Sequence, residues 1–288
     1  LEEQLTDEQW QLVAHLFPTK PRSPKGGRPP ADTRKCVEAI LWVLRTGARW
    51  KDVPRCFPSP TTCWRRFKEW TEAGIWGKAW ARLLRLLDQE GEIDLEETMA
   101  DGTFASAKKG VLRGKTKRGK GTKIMVLIEG RGIPLAGEIA SASPHEVTLI
   151  EPLLDNRILR KVPRRLIYDA AADSDPLRKR LKRRGIELIA PHRKNRKKRA
   201  SKDGRKLRRY RRRWKVERFI SWLQNIGGWL PDTNTTLTSS TDSYNRLPHG
   251  RLEEVLKLLL VRLRDSCHVV SRAGERLHDL LQFFGGSR

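Results

Sequence analysis

The runs Thr122-Lys-Ile-Met-Val-Leu-Ile-Glu129 and Pro134-Leu-Ala-Gly-Glu-Ile-Ala140, set on either side of the turn Gly130-Arg-Gly132, decide the fold. Both are short and rich in β-formers, and the glycines between them predict a tight reversal, so the pair reads as an antiparallel hairpin. Further along the chain the pattern changes. Glu146 to Leu154 has helical spacing, Arg164 to Asp169 reads as a strand, Ser174 to Arg184 as a helix and Ile186 to Ala190 as a strand. That alternation predicts parallel pairing through helical crossovers. Upstream, Leu95 to Ala100 is an apolar approach to Asp101, and downstream Tyr210 to Trp222 reads as a helix with Trp214, Glu217 and Ile220 or Ser221 on one face.

The resulting order β, β, β, α, β, α, β, α is that of a ribonuclease-H-like fold. The fold class expected is therefore α+β: an N-terminal helical, helix-turn-helix-like domain followed by a ribonuclease-H-like mixed-sheet catalytic domain. The boundaries read as 1–90 for the helical domain, 91–225 for the catalytic domain and 226–288 for an atypical tail of linker plus helix.

In the helical part, Thr6 with Gln9 forms a capping box ahead of Trp10, Val13, Leu16 and Phe17, and Pro18 ends that helix. After the loop Lys20 to Pro30, Val37, Ile40, Leu41 and Leu44 recur at helical spacing before Gly47, and two more helices follow near 60–72 and 75–88. Trp50 to Trp70 resembles a helix-turn-helix, with Asp52 to Arg55 as a short first helix, Pro58 to Pro60 as the turn and Thr61 to Trp70 as the second helix. Thr61, Thr62, Arg65, Arg66 and Lys68 would then meet phosphates or base edges. The same pattern also suits a plain helical bundle with a solvated basic face.

Composition narrows the function. The 288 residues carry 60 Lys plus Arg against 34 Asp plus Glu, a net charge of +26, which points to a polyanionic partner. Eight of the cations fall within 108–123, with no acid, and fifteen within 192–215, against one Asp. Concentration inside a catalytic-looking domain favours a nucleic-acid channel over a merely solvated face. With 38% hydrophobic residues and ten Trp there is material for a core. Cys36, Cys56, Cys63 and Cys267 lack the paired spacing of a zinc site and read as reduced, mostly buried thiols. No apolar run is long enough to span a bilayer, and no secretory leader is evident, so a soluble, cytoplasmic and nucleoid-associated protein is expected. The chain opens on Leu1 rather than Met, which reads as a start missing or misassigned.

Cleavage of a phosphodiester by hard metal ions needs carboxylates converging from separate elements. Asp101 and Asp169 each end a buried run, and ligands of open α/β sheets gather at the carboxyl ends of strands. Glu217, set among Arg212, Arg213, Lys215 and Arg218, is accounted for by intrahelical salt bridging when taken alone.

Taken together these segments resemble the DDE transposases of bacterial insertion sequences, the group typified by insertion sequence five, over roughly residues 5–225. The marks are Leu5-Thr-Asp-Glu-Gln-Trp10, Gly27-Arg-Pro-Pro30, Leu44-Arg-Thr-Gly-Ala-Arg-Trp50, Asp52-Val-Pro54, Asp101-Gly-Thr103, Gly119-Lys-Gly-Thr-Lys123, Asp169-Ala-Ala-Ala-Asp173-Ser-Asp175 and Arg213-Trp-Lys-Val-Glu217-Arg-Phe219. The resemblance implies that Asp101, Asp169 and Glu217 are catalytic and hold two Mg²⁺ ions, with Mn²⁺ able to substitute. It implies double-stranded DNA partners, transposon terminal repeats and target DNA, with a homodimer in the synaptic complex. It also implies cleavage at a transposon end followed by strand transfer. Lys115, Lys117, Arg118, Lys120, Lys123, Arg211, Arg212, Arg213, Lys215 and Arg218 are expected to hold phosphates. Asp173 and Asp175, which stand before Pro176, are expected to be helix-capping residues, and His145 to have a surface or capping role.

After Asn225 the resemblance breaks at Ile226-Gly-Gly-Trp-Leu-Pro231, which disfavours helix. If Gly227 to Thr235 are coded GGC GGC TGG TTG CCC GAT ACG AAC ACC after a C, reading from that C restores Arg-Arg-Leu-Val-Ala-Arg-Tyr-Glu-His, the family's continuation. The hypothesis is that 226–288 are out of the ancestral frame; a gene sequence incompatible with those triplets would sink it. An inactive copy, or a non-catalytic DNA-binding remnant or repressor at transposon ends, is the alternative reading, beside a nuclease or resolvase that cuts without strand transfer.

Overall fold

A computed structural model describes residues 5–19, 21–22, 24–27, 29–106, 114–117, 119–194 and 204–225. Arg118, Cys267 and the whole expected tail 226–288, with its proposed change of frame, lie outside the described residues. The chain forms two compact units, one ending at Glu92 and the next running from Ile93 to Asn225.

Among the described residues, four α-helices build the first unit. α1 (Asp7–Val13) begins at the capping box, in which the Thr6 hydroxyl accepts from Gln9 N and the Gln9 side chain accepts from Thr6 N. The chain then tightens into a 3-10 turn, Ala14–Leu16. α2 (Thr33–Thr46) is capped by the Asp32 carboxylate at Lys35 N and stopped by Gly47, whose φ of 67° is open to glycine at little cost. α3 (Pro60–Glu72) starts with Ser59 as cap and Pro60 in its first turn, and α4 spans Ile75–Gln89. Their facing stripes bury Ile40, Leu83, Leu84 and Leu87, with Trp70, Trp76 and Trp80 wholly enclosed. Phe17 stacks edge-on against both Trp70 and Trp76, at 5.0 and 5.2 Å between ring centroids.

Two expectations for this unit are corrected. Asp52–Arg55 is not a helix: the chain makes the 3-10 segment Trp50–Asp52 and then leaves the helical region at Val53 (ψ 126°), the residue that Pro54 crowds into an extended conformation. Helix α3 is therefore preceded by a long irregular connection from α2 rather than by a tight helix-turn-helix corner. Arg66 does not face outward. It is 5% exposed and lies over the Trp70 ring with its guanidinium 3.4 Å from Glu69.

The second unit is a mixed sheet with helices against it. β1 (Thr98–Ser106), β2 (Gly114–Thr116), β3 (Gly119–Ile128) and β4 (Pro134–Ser141) are antiparallel neighbours, with β3 pairing β1, β2 and β4. β2, which sequence reasoning missed, has only three residues and is a strand by pairing alone. Chain direction then changes. β5 (Arg165–Ile167) lies parallel to β1, and β6 (Glu187–Ile189) parallel to β5, after crossovers through α5 (Glu146–Asp155) and α6 (Asp175–Arg183). The path runs β2-β3-β1-β5-β6 with β4 beside β3.

Fully buried Met99, Ile124, Met125 and Leu127 form the sheet's core, and α7 (Trp214–Asn225) packs on β1 and β3. Before α7 the chain is a 3-10 helix, Gly204–Arg213, so the continuous helix expected from Tyr210 begins four residues later. No helix among the described residues is long and apolar enough to cross a membrane.

Candidate active site

β1 and β5 are in parallel register, with Thr98 opposite Leu166 and Met99 opposite Ile167. Asp101 and Asp169 each lie two residues beyond the Met99–Ile167 pair, so by the two-residue period both carboxylates leave the sheet on the same face. Each also spends one oxygen on the backbone: Asp101 Oδ1 accepts from Gly102 N at 2.9 Å, and Asp169 Oδ1 from Ala171 N at 2.8 Å. The latter bond makes Asp169 the cap of a 3-10 turn, Ala170–Ala172.

Burial pushes the Asp101 carboxyl up, and the nearby Asp169 charge adds to that. The Arg213 guanidinium and the Gly102 N–H pull the other way without cancelling it. Behind the pair, Tyr168 donates to Glu146 at 3.1 Å, and its hydroxyl is driven up by burial and then by the Glu146, Asp101 and Asp169 charges. Two adjacent carboxylates in a partly dry corner suit a hard divalent cation, whose donors are oxygens.

Glu217 reaches this corner only through an arginine. Arg213 donates to Asp101 Oδ2 at 2.6 Å, and its other terminal nitrogen lies 3.5 Å from Glu217 Oε1, one helical turn on. Glu217 is 56% exposed, and among the described residues no group of three or more His, Cys, Asp or Glu is arranged to hold a metal ion. Asp101 and Glu217 thus share one partner, Arg213, rather than converging with Asp169 on a common metal position.

Two anchoring acids went unnoticed in the sequence. Glu97, 3% exposed, accepts from Arg209 and from Arg212, the latter at 2.6 Å, and so fixes the 3-10 segment ahead of Glu217. Glu146 pairs with Lys123 at 3.5 Å. A buried acid in Asp94-Leu-Glu-Glu97 has no local signal, since its partners lie more than a hundred residues away.

The expected phosphate contacts divide in two. Thr61, Arg65, Lys115, Lys117, Lys120, Arg211 and Arg218 are exposed, with Arg218 resting 4.6 Å over the exposed Trp214 ring. The rest have partners within the protein, although Arg212 and Lys68 keep much of their surface open. The Thr62 and Ser59 hydroxyls lie 2.9 Å apart, Lys68 is 3.9 Å from Glu72, Lys123 donates to Pro144 O, Arg212 binds Glu97, Arg213 binds Asp101, and Lys215 donates to Gly130 O.

His145 is exposed at the start of α5 and makes no side-chain cap. Ser174, not Asp173, caps α6, with Asp175 in its first turn. Asp173 is instead almost wholly buried and ion-paired, a correction that bears on Asp169 below. Cys36, Cys56 and Cys63 are free thiols, of which Cys56 is exposed.

Comparison with known proteins supplies two family matches in chain order. Residues 5–80 match the family described as "Putative transposase of IS4/5 family", and residues 93–234 that described as "Transposase DDE domain". An alignment over 107 residues, 36% of this chain, is 39% identical to the insertion element IS402 uncharacterized 16.2 kDa protein of Burkholderia cepacia and covers 73% of it. The "Putative transposase for insertion sequence element IS402" from the same organism is 34% identical over 114 residues, 37% of this chain and half of that protein's length. The piggyBac transposase in a synaptic complex with hairpin DNA superposes with a TM-score of 0.50 over 93% of this chain and 74% of its own. At 12% identity that is a likeness of fold, the ribonuclease-H-like one expected.

Proposed function

The chain belongs to the IS4/5 family of DDE transposases, a class that works with divalent metal, and on that premise we propose that Asp101, Asp169 and Glu217 hold two Mg²⁺ ions for cleavage and joining of DNA. The observation that carries this reading is the β1–β5 register, by which Asp101, midway along β1, and Asp169, just past the end of β5, lie level with one another on one face; the sequence expectation that Asp101 ends its strand is corrected, since β1 runs on to Ser106. When bound, the ions would activate the attacking oxygen and stabilise the leaving one.

The protein's own residues do the rest. With Oδ1 of Asp169 accepting from Ala171 N, Oδ2 is the oxygen that would hold a metal ion. Arg213 neutralises Asp101 in the free protein, and its planar fork suits a phosphate once the acid is otherwise engaged. The exposed Lys115, Lys117, Lys120, Arg211 and Arg218 supply the electrostatic attraction for double-stranded DNA, with Arg65 on α3 of the helical unit. We assign the helical part, residues 1–90, to recognition of terminal repeats and residues 91–225 to chemistry. Synapsis of two ends calls for two copies of the chain.

The test is Mg²⁺-dependent cleavage of labelled DNA bearing the element's own terminal repeats, comparing this chain with Asp169→Ala. Cutting lost in the variant, with binding retained, is the expected outcome; equal cutting by both would refute the assignment. A second reading, a non-catalytic DNA-binding remnant at transposon ends, draws on Glu217 being exposed and tied to Arg213. It predicts salt-sensitive binding by both proteins and cutting by neither.

A further inference from the structure

We propose that Asp173 and Arg193 are positioning residues that hold the turn carrying Asp169, and so set how tightly the acid pair binds a divalent cation. The inference rests on the reading of Asp101 and Asp169 as metal ligands.

The turn Ala170–Ala172 is too short to hold itself: Ala172 N donates to Asp169 O at 3.2 Å and Asp173 N to Ala170 O at 3.1 Å, and nothing of the helix follows. One side chain braces its first two carbonyls. Arg193 donates from Nε to Ala170 O at 3.0 Å and from a terminal nitrogen to Ala171 O. The residue that ends the turn, Asp173, is 1% exposed in its side chain and gathers three donors from outside it. These are Arg178 at 2.9 Å, His192 Nδ1 at 3.1 Å and the Arg193 backbone N–H at 3.0 Å.

Arg178 also donates to Leu188 O and Ala190 O, both at 3.1 Å, which fastens Asp173 to the end of β6. The turn is therefore pinned on its carbonyl side by Arg193 and at its end by Asp173. The Ala171 N–H that fixes Asp169 Oδ1 sits between the two. Partners that orient a ligand in this way govern metal affinity about as strongly as a 10- to 100-fold change.

The two arginine variants separate positioning from charge. Removing a cation beside an acid pair would, by Coulomb's law alone, tighten cation binding. Loss of the fork that holds the turn would weaken it. Mn²⁺ binding to the full-length chain, followed by the electron paramagnetic resonance of the free ion, is measured for Arg193→Ala, Arg193→Lys and Asp169→Ala.

The expected result is binding weakened about 10-fold in both Arg193 variants, since lysine keeps the charge and cannot span two carbonyls, with the thermal unfolding midpoint unchanged because Arg193 is at the surface. Asp173→Asn should weaken binding similarly, but a buried amide facing Arg178 also threatens folding, so the Arg193 pair decides. Binding unchanged or tighter in Arg193→Ala, while Asp169→Ala loses it, overturns the clamp and leaves the metal site standing. Binding untouched by Asp169→Ala overturns the site and the clamp together.

Discussion

Replacing Glu97 by Gln should release the arginine-rich segment that leads into α7. Burial opposes the charge on Glu97, yet hydrogen bonds from Arg209 and Arg212 outweigh it and hold the carboxyl below its ordinary range. An amide keeps the volume, loses the charge and turns one acceptor into a donor facing a guanidinium. Hydrogen bonds to a charged group contribute about 1.5–3 kcal/mol each. Arg209 and Arg212 are 41% and 56% exposed, so both rehydrate when the acid is gone, and the expected loss is about 2–4 kcal/mol for the pair rather than twice the upper figure.

The loss also has a pH signature. A carboxyl with a depressed folded pKa stabilises above its unfolded value, here the ordinary 4.5, and that contribution fades as pH falls through the folded value. The difference between the native chain and Glu97→Gln should therefore be full near neutrality and shrink in acid. Hydrogen exchange of peptides spanning 207–221, compared between about pH 4 and 7, reads it directly. Identical protection in the two proteins across that range would refute the idea that Glu97 holds this segment.

Leu83→Ala, at a fully buried position of α4, should cost about 2–5 kcal/mol in thermal unfolding followed by tryptophan fluorescence, which reports on the helical unit through Trp70, Trp76 and Trp80. Arg65→Ala and Arg66→Ala, neighbours on α3, should part company: the first leaves the unfolding midpoint alone and flattens the salt dependence of DNA binding by about 0.9 of a unit, whereas the second lowers the midpoint. A loss of affinity in Arg66→Ala with stability intact would contradict its burial. Gly102→Ala places a Cβ 2.8 Å from the buried Met125 Sδ and should destabilise by about 1–3 kcal/mol, measurable in urea; an unchanged midpoint would mean that Met125 moves aside freely.

What the sequence made legible was what local chemistry specifies. Thr6 and Gln9, Asp32, Ser59 with Pro60, and Gly47 announce helix ends because each satisfies backbone groups within a few residues of itself. Strands β3 and β4 announce themselves through β-formers flanking glycines. Arg66 was misread although the signal was present, since it falls on the stripe of Cys63, Phe67 and Trp70 that α3 buries. Glu97 and the bridging role of Arg213 were not legible, because the partners that matter lie more than a hundred residues away, and Asp173 was not because its partners come from α6 and from beyond β6, which only the crossover brings back to it. Glu217 was singled out by resemblance; the spacing Arg213 to Glu217 gave the salt bridge, and only the β1 contact shows that the same arginine reaches Asp101.

The β1–β5 pairing also sets a timetable. The antiparallel partners β1, β3 and β4 follow one another closely in the chain, so their ladder closes early, while β5 arrives only after the α5 crossover. Until then the edge of β1 that bears Met99 and Ala100 stands open, and an open apolar edge is what a second chain pairs with. The corner that brings the two aspartates together is thus a late product of synthesis. Aggregation of half-finished chains, more than weakness of the finished fold, is what should govern the yield of soluble protein, and slower growth or added chaperone is the remedy that follows.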